Sequence, residues 1–294
     1  MIKGDAGLVL CGCLIACAFV AMHGCAAGDK RPWLDVNPSI IRNTVPIEHP
    51  PSTYDCRFTP IPPRLDGRLD RGAWILADWT RPFTDIQGPS MPLPRFETRV
   101  KMLWDSSCLY IGAWLEEPHL WATYGTRDMI VYHENNFEVF IDPDGDSMEY
   151  YEIEINVLGT VLDLYLDKAY RNGGSARLEW DAEGLRTAIR VDGTVNEGGD
   201  TDAGWIVELA IPWEDLAPPD SIKPEYTERW RGGMPPRIGE QWRINFSRVQ
   251  WRTRVQDRGY IKEPGVPEDN WTWTPQWEIN MHVPQHWGFV RFLR

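Results

Sequence analysis

The sequence predicts an all-β fold, an antiparallel β-sandwich of jelly-roll type with only short helical turns. Three observations carry it. Apolar and polar residues alternate with period two in run after run from about residue 100 onward. Turn-forming residues separate those runs at short intervals. Neither a sustained 3.6-residue period nor a βαβ rhythm interrupts them.

The elements follow in chain order. Residues 70–77 fit a short turn of helix. Val100, Met102 and Trp104 alternate with Lys101 and Leu103, Asp105-Ser106-Ser107 turns the chain, and 108–115 returns beside them as a hairpin. In 136–142, Phe137, Val139 and Ile141 alternate with Glu138 and Asp142. After the turn Asp142-Pro143-Asp144-Gly145-Asp146, Ile153, Ile155 and Val157 alternate with Glu152, Glu154 and Asn156 over 150–157. Strands over 160–167, 185–191 and 205–211 come next, a helical turn fits 214–216, and strands over 241–249 and 287–293 close the chain. Trp74, Trp104, Trp205, Trp242 and Trp287 fall at core positions of this pattern.

Composition narrows the function. The formal net charge is -13 and no Lys/Arg cluster occurs, which argues against nucleic acid or an anionic membrane surface as the main partner. A neutral ligand such as a glycan fits better, and the 16 tryptophans exceed what packing alone requires. The face formed by Glu138, Glu152, Glu154 and Asn156 is acidic and amide-rich, the kind of surface that hydrogen-bonds hydroxyls. Its structural alternative is a solvated face with cross-strand pairs.

The N-terminus predicts export. Lys3 and the apolar run 8–22 suit a signal peptide over 1–24, and the run is too short for a spanning helix. Cys17, in Leu14-Ile15-Ala16-Cys17, and Cys25, in Met22-His23-Gly24-Cys25, are the candidate lipidation sites. Residues 25–59 are proline-dense and read as a stiff spacer, its last part open to packing along the domain, leaving 60–294 as one folded domain. The expected product is a membrane-anchored lipoprotein, periplasmic or on the cell surface. Cys56 and Cys108, the two cysteines in the body, are candidates for a disulfide in that oxidising setting, with two buried thiols as the alternative.

With those elements in place, a resemblance emerges. Leu65-Asp66-Gly67-Arg68-Leu69-Asp70 with Ala73-Trp74, Val100 to Asp105 with Leu109-Tyr110-Ile111-Gly112, Glu138-Val139-Phe140-Ile141-Asp142, and Trp205-Ile206-Val207-Glu208 with Ile211-Pro212-Trp213 resemble, in order and spacing, carbohydrate-binding module family 9-like domains. The resemblance implies a sandwich that binds carbohydrate without cutting it, often beside polysaccharide-degrading enzymes. It also implies a sugar held between two rings. Tyr132 matches the first ring, and the loop with Trp271, Trp273 and Trp277 offers the second, with Trp273 in the register of Trp-Thr-Pro. Asn135, Glu154, Asn156, Asn245 and Arg248 match the polar positions. Glu154 stands where sugar binders can carry a basic residue, and Tyr132 replaces a tryptophan.

Other chemistries are open at this point. Glu138 and Glu154 have the residue types of an acid and base for O-glycosyl hydrolysis. His133, His282 and His286 are candidate haem ligands, since related sandwiches can hold haem. Asp142, Asp144 and Asp146 alternate around a glycine as in the start of a calcium loop, although a tight acidic turn explains them equally.

Overall fold

The computed structural model describes residues 49–216 and 234–294. Strand β1 (Thr53–Phe58) precedes a 3-10 turn at Gly72–Leu76. Strands β2 (Thr84–Asp85), β3 (Thr98–Trp104) and β4 (Cys108–Glu116) follow, then a 3-10 turn at Val131–His133. Strands β5 (Asn136–Asp142), β6 (Met148–Asn156) and β7 (Val161–Lys168) form a meander. A 3-10 turn at Tyr170–Asn172 leads to β8 (Ala176–Arg177), β9 (Arg186–Asp192) and β10 (Gly204–Pro212), with a further turn at Trp213–Leu216. Strand β11 (Gln241–Gln250), the hairpin β12 (Thr253–Gln256) and β13 (Gly259–Lys262), β14 (Asp269–Thr272) and β15 (Gly288–Leu293) complete the described chain.

Hydrogen bonding joins eleven of these strands in the order β8-β7-β6-β5-β11-β15-β1-β3-β4-β10-β9, with β14 added to β11 and β2 to β14. Inward side chains from the β5–β7 end (Val139, Ile141, Ile153, Ile155) and from the far end (Val100, Ile111, Val207, Leu209) share one buried cluster. The sheet therefore curls on itself into a sandwich, and period-two alternation supplies its single core. Trp74, Trp104, Trp205, Trp242 and Trp287 are all buried. Trp104, Trp213, Trp242 and Phe292 meet edge to face, with centroids 5.0 to 6.5 Å apart, which accounts for part of the tryptophan content.

The Leu65–Trp74 segment is tied to the sheet by polar anchors. Glu208 on β10 is fully buried and accepts hydrogen bonds from the Gly67 N–H and from Trp74 Nε1. Lys101 Nζ on β3 donates to the Leu69 and Trp74 carbonyls at 3.1 and 3.0 Å. These contacts explain why acid and lysine interrupt apolar strands here: they satisfy a loop that would otherwise bury unpaired backbone.

Two expectations change. Residues 53–58 do not belong to a spacer, because β1 lies between β15 and β3 and runs parallel to both. Tyr54 and Cys56 alternate into the core, a signal masked by the flanking prolines. The Cys56–Cys108 bridge is absent. Cys56 points into the main core, whereas Cys108 packs in a separate cluster with Leu69 and Trp74, and both thiols are free and buried. Opposite faces of one sheet cannot present the short Cβ separation a disulfide needs. The signal segment, Cys17, Cys25 and most of the proline-rich stretch lie outside the described residues. No described helix is long and apolar enough to cross a membrane.

Candidate functional site

The outward face of β5, β6 and β11 carries the acids that the alternation predicts. Glu138 stands opposite Glu154, and Phe140 opposite Glu152. Asn136 Nδ2 donates to Glu138 Oε1 at 3.1 Å and to Glu154 Oε2 at 3.0 Å, and the Tyr132 N–H donates to Glu154. Glu152 shares a side-chain hydrogen bond with Glu154, and His282 Nε2 lies 3.9 Å from Glu152 Oε2, beyond hydrogen-bond reach.

This face is covered rather than open, with Glu138, Glu152 and Glu154 each at most 5% exposed. Burial is the main reason all three resist ionisation. It raises Glu138 to about 7, and burial together with the Glu138 charge holds Glu152 and Glu154 well above the usual carboxylate range. Next to the acids, Phe140, Tyr150, Leu164, Leu166, Met281 and Trp287 form an apolar patch under the loop before β15.

Two rings rise from the acidic zone into solvent. Tyr132, on the Val131–His133 turn, and Tyr170, on the turn after β7, are each 45% exposed. Burial raises both phenols, Tyr170 to about 12, and next come the carboxylates: Glu154, Glu152 and Glu138 for Tyr132, Glu152 and Glu154 for Tyr170. The two hydroxyls also sense each other. Tyr170 packs edge-on to His282 at 4.5 Å, and His282 Nδ1 meets Tyr150 Oη at 3.0 Å. Burial pushes His282 down to about 4, so it is neutral at physiological pH. One acidic floor with two half-exposed tyrosines is thus assembled from four separate segments.

Of the seven residues matched to ligand contacts, Tyr132 and Glu154 meet here and the other five hold structure. Trp273 is 4% exposed, its ring lies against Tyr54 and Phe246, and a Cβ on Gly288 would overlap it, so it is a core residue and not a platform. Trp271 is buried too, and Trp277 stacks on His49 at 4.0 Å. Asn156 clamps its own turn, accepting from Leu158 and Thr160 N–H and donating to the Tyr124 carbonyl. Asn245 holds Thr274 through both ends of its amide. Arg248 sits on the opposite, inward face, where it pairs with buried Glu117 at 3.0 Å, and Asn135 Nδ2 donates to the same carboxylate at 3.1 Å. Tyr170 was missed because it follows β7 in a polar loop with no periodicity to mark it.

A hollow of about 180 Å³ lies elsewhere, against Glu117, lined also by Arg95, Phe96, His119, Gln250, Trp251 and Arg252. Several of its groups are already engaged. Lys262 Nζ covers one face of Trp251 at 3.6 Å, and Arg95 pairs with Asp269 at 2.8 Å. In the hairpin turn, Asp142, Asp144 and Asp146 each place a carboxylate oxygen within 4.8 Å of the others, a donor set suited to calcium. Asp142 also accepts the Gly145 and Ser147 N–H groups at 2.9 and 2.8 Å, so it shapes the turn as well. The other close acidic triad, Asp128, Asp163 and Asp181, is bridged by Arg127.

Residues 65–225, more than half of the chain, match the family model described as carbohydrate family 9 binding domain-like. The chain belongs to that family. That family is one of carbohydrate-binding domains, and the curled all-β sheet of this chain is consistent with it. Over 118 residues the chain is 30% identical to part of endo-1,4-beta-xylanase A of Thermoanaerobacterium saccharolyticum, covering 40% of this chain and 8% of that enzyme. Over 154 residues it is 26% identical to part of exoglucanase XynX of Acetivibrio thermocellus, covering 52% of this chain and 12% of that one. The matched part is therefore a small fraction of each relative. Among solved structures, a protein from Bacteroides uniformis ATCC 8492 superposes with a TM-score of 0.57 at 14% identity, over 82% of this chain and 99% of that chain. A family 9 module from Caldicellulosiruptor kristjanssonii, solved with glucose, superposes at 0.50 and 14% identity over 83% of this chain and 97% of that chain. At such identity the likeness is one of architecture.

Proposed function

We propose that this domain holds a sugar ring between Tyr132 and Tyr170, over the floor of Glu138, Glu152 and Glu154. The observation that carries it is the pairing of two half-exposed tyrosines over one acidic patch. Pyranose faces stack on aromatic rings, and carboxylates accept from hydroxyls. The floor is buried in this conformation, and exposed side chains rotate rapidly, so a sugar enters by turning the two half-exposed rings outward. Binding in the Caldicellulosiruptor module, solved with glucose, supports the same ligand class here. Affinity electrophoresis in gels containing soluble polysaccharides tests it. The wild-type chain is expected to be retarded by at least one glycan and the Tyr132→Ala chain to run free; equal retardation of both removes Tyr132 from the site.

The same reading covers the chain's wider role. Tethered through a lipid on Cys17 or Cys25, it would hold polysaccharide at a membrane surface for degrading enzymes or uptake, as the partial match to a xylanase and an exoglucanase supports. Fatty-acid labelling that disappears in one of Cys17→Ser and Cys25→Ser identifies the anchor. Calcium at Asp142, Asp144 and Asp146 would brace the β5–β6 turn. A melting temperature raised by calcium and restored by chelation, with no response in Asp144→Asn, is the expected sign.

A further inference from the structure

Tyr132 sits in the middle of the three-residue 3-10 turn Val131–His133, which is too short to satisfy its own carbonyls. The His133 and Glu134 N–H groups bond back to the Ile130 and Val131 carbonyls at 3.1 and 2.8 Å. The next two carbonyls, those of Tyr132 and His133, take donors from 119 and 129 residues away in sequence. Trp251 Nε1 donates to the Tyr132 carbonyl at 3.0 Å, and Lys262 Nζ donates to the His133 carbonyl at 2.6 Å. The Trp251 backbone N–H adds a third bond, to Asn135 Oδ1 at 2.8 Å. Lys262 Nζ also lies 3.6 Å from the centre of the Trp251 ring, so the two donors brace each other.

Lys262 belongs to the β12–β13 hairpin, whose strands pair only with each other among the described residues. A two-stranded hairpin is marginal alone and needs anchors. On its other side Tyr260 Oη donates to the Glu197 carbonyl at 3.0 Å and the Gly198 N–H to the Arg258 carbonyl at 2.6 Å. The hairpin thus fastens the loop after β9 at one side and the turn under Tyr132 at the other.

Resting on the sugar site proposed above, we propose that Lys262 and Trp251 are positioning residues for Tyr132, fixing the backbone from which its ring swings without touching the sugar. Entry turns the ring while its Cα stays in place, so a pinned turn presents the same ring face each time. A loose turn would have to be ordered on binding, at a cost in affinity. The ammonium charge strengthens the bond to the His133 carbonyl, and an apolar side chain of similar length would cover Trp251 without holding the turn.

Lys262→Met and Lys262→Arg in the full chain test this by two readouts: hydrogen exchange of the 130–135 segment without sugar, and calorimetry with a glycan that retards the wild type. Lys262→Met should speed exchange at His133 and Glu134 and weaken binding about fivefold. Lys262→Arg, which keeps a charged donor, should restore both, and the melting temperature confirms that each variant folds. Unchanged exchange in Lys262→Met overturns the inference, as does wild-type affinity in a chain whose exchange has risen. If Tyr132→Ala still loses binding in either case, the sugar site stands and only the positioning role falls. Retention of wild-type affinity by Tyr132→Ala overturns both.

Discussion

Glu138 on β5 and Glu154 on β6 stand directly opposite each other, and one amide, Asn136 Nδ2, bridges them at 3.1 and 3.0 Å. Facing carboxylates on an antiparallel pair repel when ionised. Here burial keeps them from ionising, and the bridging amide can donate to either form.

That arrangement sets the pH dependence of stability. Buried acids with raised affinities bind protons in the folded chain at pH values where the unfolded chain, with glutamates near 4.3, has released them. Stability from these groups is complete below about pH 4.3 and falls as pH rises toward 7 and above, where Glu138 ionises. Glu152→Gln should flatten this decline in a series of thermal melts. A wild-type melting temperature that climbs across the same window speaks against a protonated floor.

Trp273 and Tyr132 should separate stability from binding. Trp273→Ala removes a buried ring packed on Gly288, Tyr54 and Phe246, and should destabilise by about 3–5 kcal/mol. Tyr132→Ala, at a half-exposed ring, should change stability by about 0.5 kcal/mol or less. Denaturant midpoints measure both, and similar midpoints would mean that Trp273 is not core.

Arg248 and Glu117 form an ion pair with side chains 1% and 3% exposed. Glu117→Leu alone leaves a buried guanidinium uncompensated and should cost about 3–5 kcal/mol. Adding Arg248→Met should recover most of that loss. A double variant as unstable as the single one rules out the unpaired charge as the cause.

Glu208 accepts from the Gly67 N–H and Trp74 Nε1, so Glu208→Gln turns an amide N–H₂ toward one of these donors. The expected loss is about 1–3 kcal/mol, with faster hydrogen exchange at Gly67. Unchanged exchange there would show that the segment is held by other contacts.

The fold was legible because its signal is local: nine strands read from alternation in Val100–Trp104, 136–142 and their successors appear as β3, β4, β5, β6, β7, β9, β10, β11 and β15. Strand β1 was hidden because its neighbours in the sheet, β15 and β3, are distant in sequence and prolines precede it. The site was legible only in part for a related reason. Alternation shows that Glu138 and Glu154 share a face, but not that turns from two other segments bring Tyr132 and Tyr170 near it. Nor does it distinguish an amide that binds ligand from one that holds a loop, which is how Asn135, Asn156 and Asn245 are used. Trp273 was misplaced because a tryptophan beside a Thr-Pro turn carries no mark of the glycine 15 residues on that makes room for its ring.

The most direct measurement is calorimetric titration of a glycan that retards the wild type into Tyr132→Ala, Tyr170→Ala and Arg252→Ala chains. Each tyrosine variant should lose about tenfold or more in affinity. Arg252→Ala, altering the hollow beside Glu117, should bind like the wild type. Full affinity in both tyrosine variants, with binding lost in Arg252→Ala, would contradict the assignment and move the site to that hollow.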